Sequence, residues 1–199
     1  MVQWFLEGGS IMWFILILSV LSWIFIFEKA MVLFAEYHRV YSLRKDIEKT
    51  EFSPENLSVV LEDKKGSFAK VLRKIVENRN LRKEDNIVIT RSQLKEETEM
   101  LQKGLTILDI ATNTGPLLGL LGTVLGIVQV FAATAKVGLG NPLALSQGIS
   151  VALNTTVFGL ITAIPASIAL SFYERRIENL LRLIDKYAAL ALTEFYKKG

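Results

Sequence analysis

Two stretches of the chain set hydroxyl and amide side chains in surroundings that hold no charge. The first reads Ala111-Thr-Asn-Thr-Gly-Pro-Leu-Leu-Gly-Leu-Leu-Gly-Thr-Val-Leu-Gly126, and the second Gly148-Ile-Ser-Val-Ala-Leu-Asn-Thr-Thr-Val-Phe-Gly-Leu-Ile-Thr-Ala-Ile-Pro165. In the first, Thr112, Pro116, Gly119, Thr123, Gly126 and Val130 fall at i, i+4, i+7, i+11, i+14 and i+18, one narrow face of a helix. In the second, Ala152, Thr156, Gly159, Ala163 and Ala166 make a similar stripe. A threonine hydroxyl does not titrate near neutral pH, but it can hold a water or an ion by hydrogen bonding. The chemistry on offer is therefore the guidance of a small species along a conduit. Its candidate lining is Thr112, Thr123, Asn154, Thr155 and Thr156, with Asn113 and Thr114 nearby. Pro116 and Pro165 each lack an N–H, free a carbonyl one turn back and can kink a helix. Gly115, Gly119, Gly122, Gly126 and Gly159 allow two helix backbones to approach closely.

Two readings of the hydroxyls stand side by side. Each threonine can bond the carbonyl four residues back in its own helix, in which case the stripes serve packing alone. Alternatively the two stretches line a polar conduit, a reading favoured by the density of Asn and Thr. No Asp, Glu, His, Lys or Arg lies in the core of either stretch, so a proton path here needs a titrating group from another chain. There is no cysteine, and the one histidine, His38, sits in a charged segment and reads as a solvated surface residue. No catalytic cluster, metal site or cofactor is expected, and the chain does not read as an enzyme.

The elements that must carry these residues are membrane helices. Hydrophobic residues make up 51% of the 199 and charged residues 22%, with a mean hydropathy of +0.36. The charges are segregated: Gly8–Phe27, Ile110–Ala135 and Val137–Tyr173 contain none. About 20 helical residues cross a bilayer core, so a soluble fold is excluded. The third stretch is too long for one span, and its start, Val137-Gly-Leu-Gly-Asn-Pro-Leu143, is rich in turn residues. The expected fold is an all-α membrane protein with three transmembrane helices. Its order is an N-terminus and first span over 1–32, a helical loop over 33–106, a second span over 107–135 and a short loop over 136–145. A third span over 146–172 and a C-terminal helix over 173–199 complete it. The N-terminal stretch lacks a basic start and a small-residue cleavage site, which reads as an uncleaved anchor. Bulky and apolar all round, with Trp13 and Trp23 toward its ends, the first span reads as lipid-facing.

Lys and Arg fix an expected orientation. Residues 28–105 carry 16 of the 23, the tail from Glu174 carries 6, and the second loop only Lys136. The large loop and C-terminus are thus expected in the cytoplasm and the N-terminus outside. Fourteen acidic residues nearly balance the basic ones in the large loop, which argues against a nucleic-acid partner. Within that loop, Ser53-Pro54-Glu55 reads as a helix cap and first turn, and Gly66-Ser67 as a stop followed by a new cap. Ile87, Leu94, Leu101 and Leu108 recur every seven residues, so the second span is expected to begin deep in the cytoplasm. Tyr173, Ile177, Leu180, Ile184, Tyr187, Ala191 and Phe195 form one stripe, extending the third span as an amphipathic helix.

Thr114-Gly-Pro-Leu-Leu-Gly-Leu-Leu-Gly-Thr-Val-Leu-Gly-Ile127, with Gly148-Ile-Ser-Val-Ala-Leu153 and Gly159-Leu-Ile-Thr-Ala-Ile-Pro165, resembles the second- and third-span motifs of the MotA/TolQ/ExbB proton-channel family. One span before a single large loop resembles its three-span ExbB and TolQ branches, and Phe5-Leu-Glu-Gly-Gly-Ser-Ile-Met-Trp13 with Phe27-Glu28-Lys29 looks most like ExbB. The resemblance implies a homopentamer in the bacterial inner membrane, with periplasmic N-terminus and cytoplasmic C-terminus. It also implies an ExbD- or TolR-like single-span partner that contributes an intramembrane aspartate. Its implied output is proton-driven work passed to a TonB-like transducer for outer-membrane transport, with Thr123 and Thr156 facing the pore. Where ExbB commonly has glutamate this chain has Val151, as in the MotA branch, and Thr155 adds a hydroxyl where alanine is common. A denser hydroxyl lining suits sodium as well as protons. The alternatives are a TolQ-type envelope-maintenance motor, a MotA-like flagellar stator subunit or a structural membrane scaffold.

Overall fold

A computed structural model of the chain describes residues 9–50, 53–137 and 142–197. Those residues form six helices and no strand: α1 (Gly9–Glu48), α2 (Pro54–Leu61), α3 (Ser67–Glu77), α4 (Lys83–Gln102), α5 (Leu105–Val137) and α6 (Pro142–Phe195). Three of them, α1, α5 and α6, are long and apolar enough to cross a membrane, which makes this an all-α membrane protein. The chain divides into two compact units, Met1–Glu28 with Gly104–Ser171 and Lys29–Lys103 with Phe172–Gly199.

Several helix limits differ from the sequence expectation. α1 runs unbroken to Glu48, well past residue 32. The second apolar helix does not begin deep in the preceding segment: Lys103 and Gly104 interrupt it, Gly104 with a φ of 88° that side-chain-bearing residues seldom adopt. Pro142 opens α6, where a missing N–H costs nothing, so the expected turn residues Lys136, Val137 and Pro142–Leu145 are helical. Residues 138–141 and the N-terminal Phe5–Gly8 lie outside the described residues.

α1 corrects a second expectation. Met12, Ile15, Ser22, Lys29, Leu33, Glu36, Val40, Leu43 and Ile47 are all buried. With half-buried Ser19 and Ile26 they follow an unbroken 3-4 alternation along the helix. The first span is therefore apolar outside and selectively buried along one seam, with Trp13, Phe14, Trp23 and Phe27 exposed. Trp23 and Phe27 stack at 5.8 Å between ring centroids.

In the unit formed by Lys29–Lys103 and Phe172–Gly199, the C-terminal stripe of α6 is buried as expected. Tyr173, Ile177, Leu180, Ile184, Tyr187 and Ala191 are all enclosed, while Arg175, Arg182, Asp185 and Lys186 are exposed. Phe68 meets Tyr187 edge-on at 5.4 Å, and the Tyr187 hydroxyl donates to Glu48 at 2.7 Å.

Short helices leave unpaired backbone groups at both ends, and here side chains from other segments satisfy them. Ser53 accepts from the Asn56 N–H at the start of α2, with Pro54 in the first turn. The Arg73 guanidinium donates to the Leu61 and Lys64 carbonyls at its end, at 2.6 and 3.0 Å. Ser67 does not cap α3: the Glu36 carboxylate from α1 accepts the Ser67 N–H at 3.2 Å. That contact needs glycine at 66, since φ is +109° and a β-carbon would lie 2.8 Å from Glu36 Oε2. The amide nitrogen of the fully buried Asn86 shares its two protons among the Ile75 and Asn78 carbonyls, closing α3, and Tyr196 Oη, one residue past α6, at 3.1 Å. Buried Lys29 donates to the Leu101 carbonyl in the last turn of α4 at 2.9 Å.

α4 consequently buries a polar stripe, Asn86, Thr90 and Glu97, ahead of Leu101. Lys70 holds Glu97 at 3.0 Å, and Gln93 donates to it. Val88 is exposed, and Ile87 and Leu94 are only half-buried, so the seven-residue apolar track is not its core face.

In the unit containing the uncharged stretches, α5 and α6 meet through their glycines. A β-carbon on Gly119 would lie 2.8 Å from Thr156 Cα, and one on Gly159 2.5 Å from the Gly115 carbonyl oxygen. On Gly126 it would sit 2.7 Å from Ala152 Cβ, on Gly122 2.5 Å from Thr155 Oγ1, and on Gly115 3.1 Å from the Gly159 carbonyl. Backbone thus touches backbone over about three turns.

Two predictions follow from these contacts. Asn86→Ala strands the Ile75 carbonyl at the end of α3 and removes a tie to Tyr196, at an expected cost of about 1–3 kcal/mol. Amide exchange in α3 and α4 should quicken, whereas Arg82→Ala, at an exposed pair with Asp85, should leave it unchanged. Gly119→Ala forces backbones apart and should destabilise the folded protein by about 1–3 kcal/mol. A melt in mild detergent checks this, and an unchanged midpoint would remove Gly119 from the contact.

Candidate functional site

The site grows from the α5–α6 contact, because glycine at 119 lets the threonines of both helices reach one another. Thr123, on α5 one turn beyond Gly119, is buried and donates its hydroxyl to the Gly119 carbonyl at 2.9 Å. Thr156 of α6 lies across from it, with 2.5 Å between the two hydroxyl oxygens. Thr123 has one proton and spends it on Gly119, so Thr156 is the donor in this pair. The chain of bonds runs from Thr156 to Thr123 to the Gly119 carbonyl. Its terminus is the hydroxyl oxygen of Thr156, a half-buried residue, which presents acceptor lone pairs.

Thr155 joins the same centre. Its buried hydroxyl lies 2.7 Å from the Ala152 carbonyl and 3.1 Å from the Gly119 carbonyl, which is thus approached by hydroxyls from both helices. Thr123, Thr155 and Thr156 form one polar joint in an otherwise apolar contact. Thr156 is the member not committed to a backbone carbonyl.

The other candidates stand apart. Thr112 occupies the same face of α5 but bonds the Leu108 carbonyl of its own helix at 2.8 Å. Thr162 does the same with Phe158. Asn154 is two residues from Thr156, which turns it about 200° around α6, away from the joint. Asn113 is exposed and donates to its own helix, to the Asp109 carbonyl and carboxylate. Pro116 and Pro165 both lie inside helices that continue through them. By sequence position Pro116 leaves the Thr112 carbonyl without its helical N–H, and Pro165 does so for Ile161.

The joint contains no group that titrates near neutral pH. Among the described residues, no three His, Asp or Glu side chains gather as a metal site, and His38 is exposed. What the arrangement can do is accept hydrogen bonds from a passing donor at a fixed point between two helices. Spacing placed Thr123 and Thr156 on their helix stripes, and the resemblance singled them out from the other members. The part played by the Gly119 carbonyl was not legible, since any helical carbonyl is ordinarily satisfied by its own N–H partner.

A model of the MotA/TolQ/ExbB proton channel family matches residues 63–186, a segment that includes α3, α4, α5 and the joint. The biopolymer transport protein ExbB of Aquifex aeolicus is 37% identical over 96 residues, 48% of this chain and 62% of that protein. The biopolymer transport protein exbB1 of Vibrio cholerae is 42% identical over 74 residues, 37% of this chain and 32% of that one. The Tol-Pal system protein TolQ of Pseudomonas aeruginosa is 37% identical over 91 residues, 46% and 39% of the two chains. The chain thus spans less than two thirds of the length of each of these relatives. Three apolar helices, a hydroxyl joint where the two motif-bearing helices touch, and a family match across both of them lead to one conclusion: the chain belongs to the MotA/TolQ/ExbB proton channel family and is most like its ExbB members.

Proposed function

We propose that this chain is the channel-forming stator subunit of an ExbB-like motor in the bacterial inner membrane. The observation that carries the reading is the Thr123–Thr156 joint, a hydroxyl pair with acceptor capacity in a contact that has no acid of its own. A carboxylic acid O–H, a hydrated proton or a small cation is what such a site accepts. The carrier is then a carboxylate on another chain, an ExbD- or TolR-like single-span helix with an aspartate at membrane depth. Five copies of this chain surround that helix, with α5 and α6 inward. Thr155 completes the joint, Thr112 lies on the same face of α5 toward the helix start, Pro116 and Pro165 bend the helices around it, and the glycines set their separation.

The concentration of Lys and Arg in residues 28–105 and in the tail supports a periplasmic N-terminus and cytoplasmic C-terminus. Ion flow turns the ring against its partner, and a TonB-like transducer carries the work to the outer membrane for transport. The similarity to TolQ, equal in identity to that with the Aquifex ExbB, supports a second reading in which the same motor maintains the envelope. Val151 in place of the common glutamate leaves Ser150, Asn154, Thr155 and Thr156 as the polar groups of that part of α6, none of them charged.

In vesicles, proton flux is expected only when this chain is reconstituted with its single-span partner. Comparable flux through this chain alone would show that the carboxylate is not borrowed. Thr123→Val combined with Thr156→Val preserves shape and removes both hydroxyls. Assembly is expected to survive while flux falls about tenfold, equivalent to about 1.4 kcal/mol of lost stabilisation. Unchanged flux would make both threonines packing residues.

A further inference from the structure

We propose that Asp109 is the terminal acceptor of the ion path, a fixed negative charge at the cytoplasmic mouth that draws the departing cation off the hydroxyl track. The inference rests on the channel reading above and adds a residue to it. Asp109 is the one carboxylate side chain between Glu99 and Glu174. It is carried on the first turns of α5, an unbroken helix from Leu105 to Val137. Asp109, Thr112, Pro116 and Thr123 are separated by three, four and seven residues, so all four lie on one face. Along that face exposure rises toward the helix start: Thr123 is buried, Thr112 half-buried and Asp109 exposed. At 1.5 Å per residue the carboxylate stands about 21 Å along the axis from the threonine joint. That is most of the half-thickness of a bilayer with its headgroups.

The carboxylate is also held. Asn113, one turn on, donates from Nδ2 to Asp109 Oδ1 at 2.8 Å and to the Asp109 carbonyl at 3.0 Å. This clamp uses one carboxylate oxygen and fixes the side chain along the helix. It gives Asn113 a task other than lining the path. A single anionic group at the mouth of a low-dielectric conduit focuses cations locally and speeds their passage. The chemistry is the same for a proton and for a sodium ion, because the requirement is a negative charge at that point.

The test uses the full chain with its single-span partner in vesicles, and reads ion flux under an imposed gradient alongside assembly by size-exclusion chromatography. Asp109→Asn is expected to assemble normally and to lower flux by about tenfold or more, while Asp109→Glu stays near the parent value. The sequence has no cysteine, so Asp109→Cys offers a single labelling site and an independent route should Asp109→Asn fail to assemble. Labelling with a sulfonate-bearing thiol reagent should restore flux, and labelling with a trimethylammonium-bearing one should not. Parent-like flux in Asp109→Asn, or equal flux after both labels, overturns the proposal while the channel reading stands. Absence of flux in the parent complex overturns both.

Discussion

Backbone contact between α5 and α6 is the constraint from which the rest of this protein's chemistry follows. Where both helices are apolar and the surroundings are lipid, burial supplies no net force to bring them together. Association then depends on how closely atoms can approach, and closeness depends on side chains that are not there. Gly115, Gly119 and Gly159 bring a carbonyl oxygen of one helix to within van der Waals reach of the other's backbone. Only at that separation can two hydroxyls on α6 reach a hydroxyl and a carbonyl on α5. A single β-carbon at Gly119 would separate Thr155 and Thr156 from their partners, so the polar joint and the glycine rows are one device.

The unit outside the apolar stretches meets a different difficulty. It is built of short helices whose ends lie close together, and every end carries unpaired N–H or C=O groups. Distant side chains supply the missing partners: Glu36 for α3, Arg73 for α2, Asn86 and Tyr196 for the α3–α4 turn, Lys29 for α4. Three of these residues, Lys29, Glu36 and Asn86, are buried, and each is bonded. Burying a charge or amide without such a bond would be strongly unfavourable. The bonds of Lys29 and Glu36 in the α1 seam and of the polar stripe of α4 therefore offset the cost of burying these groups where the helices pack.

That account also explains which features were legible in the sequence. Three apolar stretches, the amphipathic tail of α6 and the Ser53-Pro54 cap depend on local pattern, and each appears in the structure. The seam of α1 was hidden because its members include Ser22, Lys29 and Glu36, which composition assigns to the surface. Their 3-4 spacing was the available signal. The heptad track through Ile87 and Leu94 misled for the converse reason: those side chains are apolar, but α4 turns its amides and carboxylate inward. Ser67 looks like a cap beside a glycine, yet the donor it offers is taken by a residue 31 positions away. Long-range partners of this kind leave no trace in a local window. Asn154 was grouped with Thr155 and Thr156 by adjacency, and helical geometry separates it from them.

Hydrogen-bond direction, finally, limits what the joint can receive. Most membrane-helix threonines donate to a carbonyl of their own helix, as Thr112 and Thr162 do here. Their protons are then committed locally. At the joint the same local bond from Thr123 to Gly119 forces the proton of Thr156 toward Thr123. The pair is thereby polarised, with a backbone carbonyl at one end and threonine lone pairs at the other. A site of that polarity suits a species that donates or carries positive charge and disfavours an anion. Were a lysine or glutamate placed there, it would neutralise itself or bind its counter-charge tightly, and a species that must leave again would be held. On the channel reading proposed above, weak, neutral acceptors at a fixed separation meet the requirement that a conduit bind its passenger without keeping it.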